Sequence, residues 1–347
     1  MTLKKSFSIK IVNFILVLFA TLLITVIMFG ASIDKLLNDS VTTSVVDQVN
    51  EASLKFKSPE DRRSYIENRI ELEKKSLGLD QEWYSPTKIL TRVFKVMTLD
   101  LGKSNYFTTD YGSSNVRDII LEKVPKTVLL FTSSTILVAI IGILMGTAIA
   151  GKGGSISDKA NSLYAIFSSS FPIWWIGMIM IFLFSFTLNI FPARATPTSS
   201  PNDPNYVWDL LYHMILPLIT IIIVSLGSWS YIVKYFITNV LNEDYINAKQ
   251  TIGISKRRIM FSHALRNAAP PITTAVALSL AASFGGSIIV ESVFDWPGMG
   301  KLYYDAIGVL DIPIIIGLTY VSTLIFLVTV FIIDIFYVNL DPRMRSR

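Results

Sequence analysis

The chain has 347 residues, 51% of them hydrophobic and only 16% charged, with a formal net charge of +5. Residues 31–126 hold 15 basic and 15 acidic side chains while other stretches run about twenty residues with none, which excludes one soluble globule and implies a polytopic membrane protein. The lack of cysteine rules out disulfides, thiolate metal sites and cysteine nucleophiles, and cations set beside apolar segments fit membrane orientation better than nucleic acid.

About 20 apolar residues, rising about 1.5 Å each, cross a hydrocarbon core of about 30 Å. Six segments meet that length: Ile9–Gly30, Thr127–Ala150, Leu163–Ile190, Met214–Phe236, Ile272–Phe294 and Ile312–Val338. Lys4, Lys5 and Lys10 precede the first span and place the N-terminus in the cytoplasm; Arg343, Arg345 and Arg347 follow the last. The loop with Lys152 and Lys159 and the segment with Lys234, Lys249, Lys256, Arg257, Arg258 and Arg266 then fall inside, leaving Arg194 and Lys301 on the short outer loops. A cleaved signal peptide over residues 1–31 is the rival reading. The apolar stretch exceeds the usual core of about 7–15 residues, and no small-x-small site follows.

Three regions result: 1–30, the N-terminus and first membrane helix; 31–126, an extracytoplasmic loop with short helices; and 127–347, a five-helix core that includes a cytoplasmic segment at 239–271. The long loop is expected to form a helix over 59–77, opened by Ser58-Pro59-Glu60, and an amphipathic helix over 86–97. Asn38-Asp39-Ser40 fits a glycosylation sequon and carries little weight.

Charge within the spans is sparse. Lys234 lies near the inner end of the fourth, Glu291 near the outer end of the fifth and Asp334 near the inner end of the sixth. Ion-coupled transporters place carboxylates near the midplane, so a neutral path points to an outside source of free energy; a secondary transporter stays as the less favoured alternative. No Gly-xxxx-Gly-Lys-Ser/Thr phosphate loop is present, so the chain is not expected to hydrolyse ATP. Gly142 and Gly146 read as a helix-packing pair, Pro172 and Pro217 as kinks, His213 as a helix-end residue and His263 as packed within the basic segment.

Residues 239–271 read as a short helix ending at Ile252, a turn at Gly253 and a second short basic helix capped by Ser255. Such an elbow suits docking into a groove on a cytoplasmic partner; a basic segment lying on anionic lipid is the equal alternative. The elbow resembles the coupling, or EAA, loop of ABC importer permeases, in the variant of dipeptide, oligopeptide and nickel permeases of the B-subunit type. The shared features are Asp244-Tyr245-Ile246, Ala248, Gly253, Lys256-Arg257-Arg258, and His263-Ala264-Leu265-Arg266-Asn267-Ala268 followed by Pro271. Asn247 and Lys249 fill the first and third places of Glu-Ala-Ala. Similar strings run the length of the chain: Leu77-Gly78-Leu79-Asp80-Gln81, Leu99-Asp100-Leu101-Gly102-Lys103-Ser104, Pro125-Lys126-Thr127, Ser170-Phe171-Pro172-Ile173-Trp174-Trp175, His213-Met214-Ile215-Leu216-Pro217, Glu291-Ser292-Val293-Phe294-Asp295-Trp296-Pro297-Gly298-Met299-Gly300 and Leu340-Asp341-Pro342-Arg343.

The resemblance implies an all-α membrane protein of the ABC importer type I kind, with six transmembrane helices and an extracellular helical cap between helices 1 and 2. It implies half of a translocation path for peptides in the cell membrane, with both termini cytoplasmic; a nickel or other small-solute permease is the alternative. The implied partners are a second, homologous permease, two cytoplasmic ABC ATPases that bind the ATP and Mg, an extracytoplasmic solute-binding protein and the lipid bilayer, with no cofactor on this chain. Contact with the ATPases falls to Asp244, Tyr245, Asn247, Ala248, Lys249, Gly253, Ile254, Arg257 and Arg258. For Glu291, Phe294, Asp295, Trp296, Pro297, Gly298 and Gly300 two readings stand equal: an outer gate or binding-protein contact, or a re-entrant turn that closes the fifth span.

Overall fold

Backbone amides in hydrocarbon must bond within their own segment. The computed structural model accordingly consists of helices over the residues it describes, 3–51, 56 and 58–340, with a lone antiparallel bridge between Lys103 and Asn115. The side chains of Lys4, Lys5 and Asp334, and the ending with Arg343, Arg345 and Arg347, lie outside the described residues.

The first helix, α1 (Leu3–Glu51), does not stop at Gly30 as the hydropathy had it. Leaving the apolar stretch removes no backbone bond, and Asn38, Thr42 and Thr43 bond back to carbonyls four residues earlier. The Asn38 sequon is therefore helical. In α2 (Pro59–Ser76) Ser58 accepts from the Asp61 amide and proline occupies the first turn, as the sequence indicated. Then follow α3 (Pro86–Met97) and α4 (Val116–Ala150), which starts well before Thr127 and carries Pro125 inside it.

The third span is bent rather than continuous. α5 (Ile156–Ser170) meets α6 (Ile173–Ile181) and its π-helical continuation Phe182–Thr187 at 95°. Pro172 lacks an amide hydrogen and holds Phe171 extended at φ −113°, ψ 134°. Ser168 and Ser169 donate to the Ala165 carbonyl and Ser170 to that of Ile166, back-bonding within the last turn of α5.

α7 (Tyr206–Leu241) runs through Pro217 unbroken. After α8 (Asp244–Thr251), α9 (Lys256–Arg258) is not a separate short helix. It continues through a π-helical turn, Ile259–Ala264, into α10 (Leu265–Ser283). That run meets α11 (Ile288–Phe294) at 62°, broken at Gly285-Gly286. α12 (Met299–Val309) and α13 (Ile312–Leu340) complete the described chain. Among the described residues four helices are long and apolar enough to cross a membrane, and six crossings result when each bent pair counts as one.

The chain divides into two compact units, Met1–Ile119 with Ala306–Leu324, and Ile120–Asp305 with Ile325–Arg347. In the first, Asp34 of α1 pairs with Lys88 and Arg92 of α3, and the Tyr320 hydroxyl donates to the Met97 carbonyl at 3.0 Å. Ser104 donates to Asp311 at 2.5 Å and accepts from the Phe107 amide, while Asp311 accepts from the Ile314 amide at the start of α13. The Leu99–Ser104 motif is thereby tied to a helix start some two hundred positions away.

In the second unit α4 lies close against α7. A Cβ at Gly142 would collide with the Trp229 indole, and one at Gly146 would sit 2.6 Å from the Ser230 carbonyl oxygen. The glycine pair serves helix packing. Lys234 of α7 pairs with Asp158 of α5, and Ser230 donates to Asn161 at 2.7 Å.

Candidate functional site

Two constellations from the sequence assemble in the second unit. The first is the turn around Glu291, whose side chain is fully buried. Its carboxylate accepts from the amides of Gly300 at 2.8 Å, Lys301 at 3.3 Å and Ser287 at 3.4 Å, and from the Thr127 hydroxyl at 3.2 Å. Thr127 in turn accepts from the Met299 amide at 2.7 Å. The first amides of α12 have no intrahelical acceptor, so Glu291 and Thr127 cap that helix from other parts of the chain.

Gly298 leaves the space for this. A Cβ there would strike both Glu291 Oε2 and Thr127 Oγ1. Trp296, fully buried, donates from its indole to the Lys126 carbonyl at 3.0 Å, and its amide donates to the Glu291 carbonyl at 2.8 Å. Phe294, also buried, packs with Leu130, Met214, Leu216 and Val290. Asp295 turns the chain in the left-handed region at φ 56° and pairs with Lys301 at 3.1 Å. Partial burial pulls the Lys301 ammonium down, but its hydrogen bonds to Asp305 and Asp295 outweigh that and hold its pKa above the ordinary lysine value.

The structure therefore brings all seven predicted residues together, with Glu291, Phe294, Trp296, Gly298 and Gly300 inside the turn and only Asp295 and Pro297 partly exposed. The sequence reading missed Thr127 and the amides of Met299 and Lys301 as parts of one lattice.

The second constellation is the elbow. Gly253 joins α8 to α9 at φ 82°, where a side chain would be strained although nothing lies within 4 Å. The base of the elbow is apolar: Ile246, Ile259, Met260 and Ala264 are buried in one cluster with Val233, Ile237 and Val240 of α7, and Ile254 packs against it. Lys249 donates to Nδ1 of His263 at 2.9 Å. An ammonium only donates, so this ring nitrogen accepts and the imidazole is neutral with its proton on Nε2. Lys249 also lies 5.5 Å from the Tyr245 ring centroid, and the Tyr245 hydroxyl accepts from Asn267. Lys249 thus braces α8 against the chain after the elbow.

The tip is exposed at Asp244, Asn247, Ala248, Gly253, Lys256, Arg257 and Arg258. Ile252 adds an apolar side chain with 74% of its surface exposed, a residue the sequence reading had only as a helix end. Ser255 stands at the N-cap position but makes no capping hydrogen bond, contrary to expectation.

Comparison with known proteins identifies the family of the chain. The profile of the family described as "Binding-protein-dependent transport system inner membrane component" matches residues 139–346. The oligopeptide transport system permease protein AppB of Bacillus subtilis (strain 168) is 32% identical over 247 residues, covering 70% of this chain and 78% of its own. The di/tripeptide transport system permease protein DppB of Pseudomonas aeruginosa (strain UCBPP-PA14) is 32% identical over 288 residues, covering 78% and 83%. The dipeptide transport system permease protein DppB of Escherichia coli (strain K12) is 30% identical over 292 residues, covering 78% and 84%. The chain belongs to the family of binding-protein-dependent transport system inner membrane components, and is a multi-pass ABC transporter permease.

Proposed function

We propose that this permease forms one half of a peptide translocation path, opened and closed by separate ATPase subunits that hold the Gly253 elbow. The observation that carries the proposal is the elbow's construction: an exposed tip with Ile252 and free basic side chains, set on a buried base shared with α7. Displacement of the tip is thereby passed to α7 and α10 as rigid bodies rather than dissipated in a loose loop. Exposed isoleucine beside small residues suits an apolar groove on a partner, and Lys256, Arg257 and Arg258 suit an acidic rim. The remaining assembly is a second permease, a solute-binding protein and two ATPases that bind ATP and Mg, with both termini of this chain cytoplasmic and α2 and α3 extracytoplasmic. Peptides are the favoured cargo because the similar permeases are named for oligopeptides, dipeptides and tripeptides.

The test uses the reconstituted importer and the chain's lack of cysteine. Ile252→Cys should be labelled by a membrane-impermeant maleimide only from the cytoplasmic side, and protected when the ATPases are bound. Ile252→Asp should cut uptake and binding-protein-stimulated ATP hydrolysis by about tenfold or more, equivalent to about 1.4 kcal/mol or more of coupling. Labelling from the other face, or unchanged coupling in Ile252→Asp, would sink the assignment.

A further inference from the structure

The first unit contains a cavity of about 550 Å³ that the transport reading does not use. Its lining is both apolar and cationic. Val26 and Ile33 of α1 and Ile316 of α13 line it together with Lys88, Arg92 and Lys95 of α3. The apolar wall belongs to helices that cross the membrane. From Val26 to Leu37, which also lines it, α1 rises about 16 Å, more than the headgroup layer of one leaflet. The cavity therefore sets the apolar surface of a membrane-crossing helix beside cationic side chains, the two chemistries of a charged lipid.

The charges around the cavity do not cancel. Lys88, only 7% exposed, bonds to Asp34 at 2.5 Å and to the Gln81 carbonyl at 2.9 Å. Arg92 pairs with the same Asp34 and reaches the Gly30 carbonyl at 3.5 Å, which leaves guanidinium donors unused. Lys95 forms no ion pair with a described residue, and Asp100 is the one carboxylate that lines the cavity itself. Three cations against Asp34 and Asp100 leave one positive charge, on the exposed Lys95 beside the half-buried Arg92, which an anion would neutralise.

We propose that this cavity is a binding site for one anionic phospholipid, its phosphate held by Arg92 and Lys95 and an acyl chain laid against Val26, Ile33 and Ile316. A lipid held there braces α3 against α1.

The test takes the full chain, purified in neutral detergent and stripped of lipid, and measures by native mass spectrometry the retention of phosphatidylglycerol, phosphatidylcholine with the same acyl chains, and inorganic phosphate. Phosphatidylglycerol should be held about tenfold more tightly than phosphatidylcholine, the effect of one charge-assisted contact. Lys95→Gln, at an exposed position, should remove most of that preference. Leu37→Trp, which fills the cavity beside the apolar wall, should weaken retention of both lipids. Equal retention of the two lipids by the unmodified chain would overturn the proposal and needs no variant. A preference untouched by Lys95→Gln would also overturn it. Displacement of phosphatidylglycerol by equimolar inorganic phosphate, with Leu37→Trp without effect, would overturn it by showing a small-anion site, and displacement by an equimolar acidic tripeptide would assign the cavity to peptide instead.

Discussion

The Glu291 turn and the Gly253 elbow are both short, glycine-bearing breaks between helices, yet they spend their polar groups in opposite ways. At the turn the carboxylate, the threonine hydroxyl and the indole are buried and bonded to backbone. At the elbow the interior is apolar, and most of the charged groups face outward unpaired. A buried lattice fixes shape, whereas an exposed tip on a fixed base leaves chemistry for a partner. The turn's buried groups hold α11, α12 and Thr127 of α4 together. Ser292, Val293, Asp295 and Pro297 are the residues of the turn that remain partly exposed.

Substitutions should separate the two regions by what they damage. Glu291→Ala leaves the Ser287, Gly300 and Lys301 amides and the Thr127 hydroxyl without their acceptor, and should cost about 3 kcal/mol or more of stability in denaturant titration of the purified chain. A near-native midpoint would mean the lattice is not what holds the turn. Gly298→Ala forces a methyl into Glu291 and Thr127, and should cost about 1–3 kcal/mol by the same measurement.

Gly253→Ile places its Cβ where nothing lies within 4 Å and adds left-handed strain of about 1–2 kcal/mol, but should abolish coupled uptake by changing how the tip is presented. Uptake falling only in proportion to stability would erase the contrast. Lys249→Met removes the brace to His263 and should cost about 0.5–1.5 kcal/mol, with ATP hydrolysis partly uncoupled from uptake. Equal uptake and hydrolysis losses would show the brace to be dispensable for force transfer.

Much of the fold was readable from one-dimensional pattern. The α2 start at Ser58-Pro59, the α3 boundaries and the Gly253 bend depend on neighbours within a few residues, and the structure has them where local chemistry placed them. The proline at 172 was harder. Prolines 125, 217, 270 and 271 remain inside helices, so proline alone does not decide a break. What differs at 172 is the extended Phe171; hydroxyl bonds to nearby carbonyls flank Pro217 and Pro270 as well and do not mark a break.

The Glu291 lattice was less readable still. Its partner Thr127 lies 164 positions away, and the Met299, Gly300 and Lys301 contacts use backbone amides that carry no residue-type signal. At the elbow, Lys249 gave no sign of bonding a neutral imidazole fourteen positions on.

The bond between Ser104 and Asp311 bears on how such a protein can be rebuilt. Asp311 is 2% exposed and serves both that hydroxyl and the opening turn of α13. An engineer who trimmed the large polar insertion to obtain a minimal pore would strand an acid next to the last helix. Grafts or excisions of this region must exchange both ends of the tie at once, Ser104 with Asp311.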